Sequence, residues 1–198
     1  MSHYVITLSR QFASMGRSIA QEMSRQLGIE FYDRDIVEAA AARMSLPVSI
    51  VSDQEDSMTN RYFKRIYPLG TGMLSVQDEL FMTQKNIIRD LAAKESCIIV
   101  GRCADAILAD FDNVLNVRVF APYEARLANC INRLGMDEKT ARKMIDRVDK
   151  SRDNFHREYT GCDVLEHCHL QVNSSLLGIE GSAELLCDIV KKRFAILS

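Results

Sequence analysis

The chain has 198 residues, a hydrophobic fraction of 47% and a formal net charge of −2 at pH 7. This length fits one domain with a real core, and this charge balance gives no general reason to expect binding to nucleic-acid polymers or to membranes. No apolar run is long enough to span a bilayer, and the first residues lack the charged-then-apolar pattern of a secretory signal.

Predicted strands and helices alternate along the chain. The strands cover 5–8, 29–33, 97–100, 113–122 and 169–173, and the helices cover 17–27, 36–44, 76–94, 122–134, 137–158 and 180–194. Pro122 is expected at the first position of its helix. Residues 46 to about 75 are irregular and are the best candidate for a mobile insertion. The alternation predicts a mainly parallel sheet between two layers of helices.

Three polar turns follow strands directly: residues 9–18, residues 101–105 and the residues after Phe120. Ligands of parallel sheets bind at the carboxyl ends of the strands. The three turns are therefore expected at one edge of the sheet, where a binding site would lie.

The turn at 9–18 has the outline of a phosphate-binding loop, G-x-x-x-x-G-K-[ST], with Gln11 at the first glycine and Arg17 at the lysine. Gly16 lets the backbone approach a phosphate, Arg17 supplies a permanent charge, and Ser18 offers a hydroxyl to Mg²⁺. Ala13 and Met15 bring side chains into the loop, so φ angles suited to L-residues are expected. An ordinary strand-to-helix turn is the alternative.

A charged segment, 142–158, mixes basic and acidic residues at helical spacing. It is either a solvated helix with internal ion pairs or a set of phosphate-binding arginines. Arg102 follows a buried strand, and such a charge needs an anionic partner, which is either a ligand or a local carboxylate such as Asp105.

Cysteine usage points to a reducing compartment. The six cysteines are widely spread without a C-x-x-C pair, so free thiols and a cytoplasmic location are expected. Cys162, His167, Cys168 and His169 raise the question of zinc. Their spacing is wrong for paired ligands, and consecutive side chains entering a strand alternate sides, so surface histidines and a buried thiol are favoured.

Four blocks, "ITLSRQFASMGRSIAQEMSRQLGIEFYDRDIVEAAA", "CIIVGRCADAIL", "RVDKSRDNFHREYTG" and "LQVNSSLLGIEGSAELL", together resemble the cytidylate kinase-like family of P-loop nucleoside monophosphate kinase relatives. The resemblance implies a three-layer α/β P-loop fold with a five-stranded, mainly parallel sheet. It implies one domain, with a core at 1–35 and 76–198, an acceptor-binding insertion at about 36–75 and a lid at about 148–162. It also implies ATP and Mg²⁺ as donor and CMP or dCMP as acceptor.

The resemblance also implies residue roles. The catalytic set is Arg17, Asp149 and Arg152, the last two being the D-x-x-R of the lid. Donor binding falls to Ser14, Met15, Gly16, Arg17, Ser18 and Arg126, with Ser18 towards Mg²⁺. Acceptor binding falls to Asp33, Arg34, Gly101 and Arg102. The arginine pair that normally follows Arg126 is Asn129-Cys130 here.

Three functions fit these expectations. The first is transfer of the ATP γ-phosphate to a pyrimidine nucleoside monophosphate without a covalent intermediate. The second is a nucleotide-binding regulatory protein that kept the fold and lost catalysis, for which Gln11, Ala13, Met15 and Arg17 argue. The third is a kinase for another small acceptor.

Overall fold

The computed structural model of the chain describes residues 3–45 and 76–194, apart from the side chains of Arg34 and Val76. Most of the expected acceptor insertion, residues 46–75, therefore lies outside the described residues.

The described strands form one five-stranded sheet in the order β2-β3-β1-β4-β5, and every neighbouring pair is parallel. The strands are β1 Val5–Arg10, β2 Glu30–Tyr32, β3 Cys97–Val100, β4 Val114–Phe120 and β5 Leu170–Asn173. The predicted sheet is thus confirmed, and it is parallel throughout.

Seven helices connect these strands within the described ranges: α1 Gly16–Leu27, α2 Arg34–Arg43, α3 Val76–Lys94, α4 Ala104–Ile107, α5 Tyr123–Asn132, α6 Glu138–Thr160 and α7 Ser174–Arg193. The sequence pattern missed α4, which is too short to show periodicity. Pro122 is the N-cap of α5 and not its first residue. The last helix begins at Ser174, six residues before its predicted start, and non-helical angles at Gly178 mark a kink in it.

The core has two layers because successive strand residues point to opposite faces of the sheet. Val5 and Ile99 pack with α2 and α3 on one face, while Ile6 and Ile98 pack with α1 and α7 on the other. A third, smaller cluster joins α5 and α6 to the turn after β1, through residues such as Ile145. This cluster places α6 over the carboxyl edge of the sheet.

Inside the core, one polar pair links the two central strands: the Thr7 hydroxyl donates to the Asn116 side-chain oxygen at 2.7 Å. All six cysteines are free thiols, as expected, and Cys97, Cys103 and Cys187 are buried. Burial raises the pKa of Cys97 to about 12. Among the described helices, none has both the length and the apolar character that crossing a bilayer requires.

Candidate active site

A cavity of ≈ 730 Å³ opens at the carboxyl edge of the sheet, between the turns after β1 and β3 and the second half of α6. Its walls are rich in charge. The lining includes six arginines and four aspartates: Arg10, Arg17, Arg102, Arg118, Arg147, Arg152, Asp33, Asp105, Asp149 and Asp153. A chain with net charge −2 thus places a basic cleft where parallel sheets bind ligands.

The turn after β1 is fixed to the end of β4. The Gln11 amide donates to the Val119 carbonyl at 3.1 Å, and the Gln11 side-chain oxygen accepts from the Ala121 amide at 3.2 Å. The residue at the first glycine position of the phosphate-loop pattern therefore anchors the loop. The second glycine is required sterically, because a Cβ on Gly16 would lie 2.7 Å from the Arg10 Cβ.

Ala13 and Met15 have positive φ angles of 58° and 62°. The sequence-based expectation of ordinary L-residue angles in this loop was wrong. Met15 is the N-cap of α1, and the apolar cluster of α5 and α6 packs against its side chain. Packing of the Met15 side chain thus offsets the free-energy cost of its left-handed backbone. A glycine at this position would not carry that cost.

Asp149 on α6 contacts the phosphate loop directly. Its carboxylate accepts from the Phe12 amide at 2.7 Å and pairs with the Arg126 guanidinium, which also donates to the Phe12 carbonyl. Arg126 is only 7% exposed, and it stands over the Tyr123 ring. Arg126 therefore supports the loop through Phe12 and Asp149 without lining the cavity itself.

A second carboxylate, Asp33, lies at the start of α2 and pairs with two arginines. Its oxygens lie 3.5 Å from Arg10 Nη2 and 3.1 Å from Arg17 Nε. Asp33 is buried, whereas the Arg17 side chain is 61% exposed. The arginine at the lysine position thus extends towards β2 and is held there by a carboxylate.

The turn after β3 is strained. Gly101, Arg102 and Cys103 have consecutive positive φ angles of 75°, 60° and 54°. The Arg10 guanidinium contacts the face of Gly101 where a side chain would lie. Strained backbone of this kind concentrates at functional sites, and here it presents Arg102 to the cavity.

Helix α6 is continuous from Glu138 to Thr160, so the proposed lid, 148–162, comprises the second half of one helix and the turn after it. Arg147, directly before this segment, and Arg152, within it, line the cavity, and Arg152 Nη1 donates to the Arg10 carbonyl at 3.2 Å. Movement of residues 148–162 as a lid stays a prediction.

His156 and Asp105 form a buried pair beside the cavity, with His156 Nε2 2.9 Å from the Asp105 carboxylate. His156 Nδ1 lies 3.2 Å from the Cys162 carbonyl. Burial lowers the pKa of His156, but the hydrogen bond and the charge of Asp105 outweigh burial, so the net shift is upward. Asp105 therefore partners a histidine of α6, a contact that the sequence analysis did not foresee.

Asp153 lies one turn before His156 on α6. Burial raises the pKa of the Asp153 carboxyl, and the nearby Arg118 opposes this rise. Arg118 itself lies in β4 between the buried Val117 and Val119. An arginine inside an apolar strand is a signal that could have identified it from the sequence.

A model of the cytidylate kinase-like family matches residues 5–175 of the chain. The chain belongs to this family. No curated protein matches it.

The solved structures similar to this chain include an uncharacterised protein and several kinases of small molecules. The uncharacterised protein, from Eubacterium ventriosum, is 21% identical with a TM-score of 0.72, covering 96% of this chain and 100% of that one. A shikimate kinase from Acinetobacter baumannii in complex with shikimate is 14% identical with a TM-score of 0.52, covering 98% and 94%. A deoxyadenosine kinase from M. mycoides is 11% identical with a TM-score of 0.52, covering 95% and 99%. The fold is therefore that of a P-loop kinase, and family membership supports a nucleotide or small-molecule kinase.

Within the cytidylate kinase-like fold, six of the predicted site residues line one cavity: Arg17, Asp33, Gly101, Arg102, Asp149 and Arg152. The other described ones, Ser14, Met15, Gly16, Ser18 and Arg126, lie outside the lining. The side chain of Arg34 falls outside the described residues. Sequence reasoning assigned no role to Arg10, Arg118 or His156.

The residues behind the loop bear on the donor-binding role that the family resemblance implies for Arg126, which would be a contact with the adenine of ATP. The Asn129 side chain donates to the Ala13 carbonyl at 2.9 Å, and Cys130 is fully buried. These side chains hold the loop in place. A contact between adenine and Arg126 stays a prediction.

Proposed function

We propose that this cytidylate kinase-like protein transfers the γ-phosphate of ATP to a pyrimidine nucleoside monophosphate, CMP or dCMP, in the cytoplasm. One observation carries the proposal: a single cavity at the carboxyl edge of the sheet is lined by six arginines, against four aspartates, in a chain whose net charge is negative. A cleft of this kind favours a substrate with several phosphates over an uncharged one.

The donor site would be the turn before α1. The N-terminus of α1 would direct its first backbone amides and the positive end of its dipole at a phosphate. ATP bound with Mg²⁺ would supply the phosphoryl group, and the Ser18 hydroxyl would hold the metal.

Arginines would do most of the catalytic work, because phosphoryl transfer needs positioning and charge neutralisation more than covalent chemistry. Arg17 and Arg152 line the cavity from two different helices, α1 and α6. Asp33 and Asp149 hold Arg17 and the Phe12 amide in ion pairs and hydrogen bonds. A phosphate would compete with these carboxylates for the same positive groups.

That competition also supports a second candidate, a regulatory protein that binds nucleotide without turnover. Asp149 occupies a loop amide, and Arg17 is turned towards Asp33. If these contacts persist when nucleotide binds, the reacting phosphates lack their partners. A kinase for another small acceptor is a third candidate, since structures of shikimate kinase and of a gluconokinase share the fold.

The test is an ADP-release assay with Mg²⁺–ATP across the common nucleoside monophosphates and small hydroxyl acceptors. We expect turnover above the ATPase background with CMP or dCMP. Arg152→Ala should lower kcat by roughly 10³-fold, the lower end of what a transition-state arginine contributes. Arg142→Ala is the matched control, because Arg142 lies on the same helix, pairs with Glu138 and is absent from the cavity lining.

The outcomes separate the candidates. Turnover only with a non-nucleotide acceptor selects the third. Saturable ATP binding by calorimetry without turnover selects the second, and activity gained in Arg17→Lys would locate the defect at the loop. If the chain neither binds nor turns over nucleotide, both kinase candidates are excluded.

A further inference from the structure

The turn between α6 and β5 brings together three side chains that do not line the arginine-rich cavity: Cys162, Glu166 and His167. Their ligand atoms, one thiol sulfur, one carboxylate oxygen and one imidazole nitrogen, all lie within 4.8 Å of one another. Among the described residues, no other group of three or more potential metal ligands brings its ligand atoms this close together. Glu166 was not considered from the sequence, and it supplies the ligand that the histidine and cysteine spacing lacked.

The backbone of this turn is fixed at both ends of the cluster. The Cys162 carbonyl lies 3.2 Å from His156 Nδ1, and the His167 carbonyl accepts from the Asn116 side chain at 2.9 Å. Between them, the Glu166 amide donates to the Asp163 carbonyl at 2.9 Å. The first and last ligands therefore sit on backbone that other elements hold, which lowers the entropy lost when a metal binds.

The neighbouring cysteine and histidine are engaged elsewhere. The Cys168 thiol donates to the Leu170 carbonyl at 3.2 Å, and His169 Nδ1 accepts from the Asn116 amide at 2.9 Å. This confirms the expectation that consecutive residues at 167–169 do not converge. Cys168 also serves as a matched thiol control, because its thiol lies outside the cluster of potential ligands.

We propose that Cys162, Glu166 and His167 bind one Zn²⁺ ion, with a fourth position left for water. A thiolate, an imidazole and a carboxylate suit a borderline-soft ion in tetrahedral geometry, whereas Mg²⁺ and Ca²⁺ prefer oxygen ligands alone. The site is therefore separate in chemistry from the Mg²⁺ that would accompany ATP.

Zinc at this position would fix the turn that follows α6. The same helix carries Arg147 and Arg152 into the cavity, and His156 links its last turn to the backbone of Cys162. Binding would stabilise the folded chain and release a proton, since the cysteine must bind as its thiolate.

The test is a Co²⁺ titration of the full chain after chelator treatment and dialysis, followed by Zn²⁺ competition. We expect one equivalent of Co²⁺, a thiolate-to-cobalt charge-transfer band, and displacement by Zn²⁺. Cys162→Ser should abolish the band. His167→Ala should weaken binding by at least the roughly 10- to 100-fold that loss of an outer-shell partner costs. Glu166→Gln, a change at an exposed residue that should not disturb folding, should weaken it measurably.

Cys168→Ser is the control, and it should keep both the band and the affinity. Retention of the band in Cys162→Ser, its loss in Cys168→Ser, or the absence of a saturable one-equivalent step in the wild type would each overturn the proposal. None of these readouts uses kinase activity, so the metal site and the proposed function succeed or fail separately.

Discussion

At the scale of single residues, the turn after β3 is where the chain accepts backbone strain. Arg102 and Cys103 hold left-handed angles that cost an L-residue roughly 1–2 kcal/mol each. Hydrogen bonds fix the turn, from the Gly101 amide to the Leu8 carbonyl at 3.0 Å and from the Ala104 amide to the Gly101 carbonyl at 3.1 Å. The strain keeps Arg102 at the cavity wall and leaves a flat surface at Gly101 against which Arg10 packs.

Gly101→Ala should lower the free energy of unfolding by more than Gly135→Ala, measured by urea denaturation. Both glycines have positive φ, 75° and 68°, so both variants pay a backbone cost of roughly 1–2 kcal/mol. Only at Gly101 would the new methyl group meet the Arg10 guanidinium, since nothing lies within 4 Å of the corresponding position at Gly135. The displaced Arg10 would also weaken its pairing with Asp33. Equal losses in the two variants would contradict this account of Gly101.

At the scale of elements, α6 has a stripe that changes character along its length. Ala141 and Ile145 are buried against α5, and the same stripe continues with Asp149, Arg152 and His156 at spacings of four, three and four residues. Its first half is apolar and its second half faces the loop and the cavity. One helix therefore both anchors to the core and delivers charge to the site.

The pair of His156 and Asp105 should make stability depend on pH. The folded-state pKa of His156 is raised above its unfolded value near 6.5, because the hydrogen bond and charge of Asp105 outweigh burial, with a smaller contribution from Asp163. The contribution is then fully present below the unfolded pKa and is lost as pH rises through the folded pKa. The wild type should therefore exceed His156→Gln in unfolding free energy by more at about pH 6 than at about pH 8.

Urea unfolding across this pH range measures the difference. His3→Gln is the matched control, because His3 is exposed and lies far along the chain from Asp105. That variant should follow the wild type at every pH. A difference between wild type and His156→Gln that stays constant or grows with pH would show that the pair does not bind a proton on folding.

The sequence predicted elements better than it predicted partners. Apolar runs such as 97–100 and the polar turns after them predicted the strands, their mainly parallel orientation and the sheet edge that carries the candidate site, but not the order of the strands in the sheet. The contacts of Asp149 with Phe12, and of His156 with Asp105, join residues 137 and 51 positions apart. Periodicity is a local signal, so it could place these side chains on a helix face but could not say which carboxylate would meet which cation.

The start of α7 was missed for a related reason. Gly178 interrupts the helical pattern, and a single glycine in a sequence reads as a boundary. In the folded chain the helix begins instead at Ser174, where the Asn173 side chain accepts from the Ser175 amide at 3.1 Å. A helical segment that the sequence analysis missed thus precedes Gly178, and Gly178 itself keeps the non-helical angles that a glycine readily adopts.

At the scale of the whole molecule, charge is segregated. The chain carries 27 acidic and 25 basic residues, yet the cavity lining has six arginines against four aspartates. The rest of the chain then carries 23 acidic and 19 basic residues (27 minus 4 and 25 minus 6) and is acidic on balance. This arrangement steers a polyanion towards the carboxyl edge of the sheet and keeps the rest of the surface from holding it.

Mg²⁺–ATP should therefore raise the melting temperature, and the rise should shrink as salt is added. At about 100 times its Kd, a ligand that binds only the folded state adds about 2.7 kcal/mol, which corresponds to roughly 5–11 °C for a chain of this size. Arg152→Ala should reduce the shift because it removes a guanidinium from the cavity wall, whereas Arg142→Ala should leave it unchanged. Screening by salt weakens charge pairs at a solvent-open cleft, while apolar contacts with a base would persist, so the salt dependence reports the part that arginines contribute. An ATP shift that is the same in Arg152→Ala and at high salt would mean that the nucleotide binds away from the arginine-lined cavity.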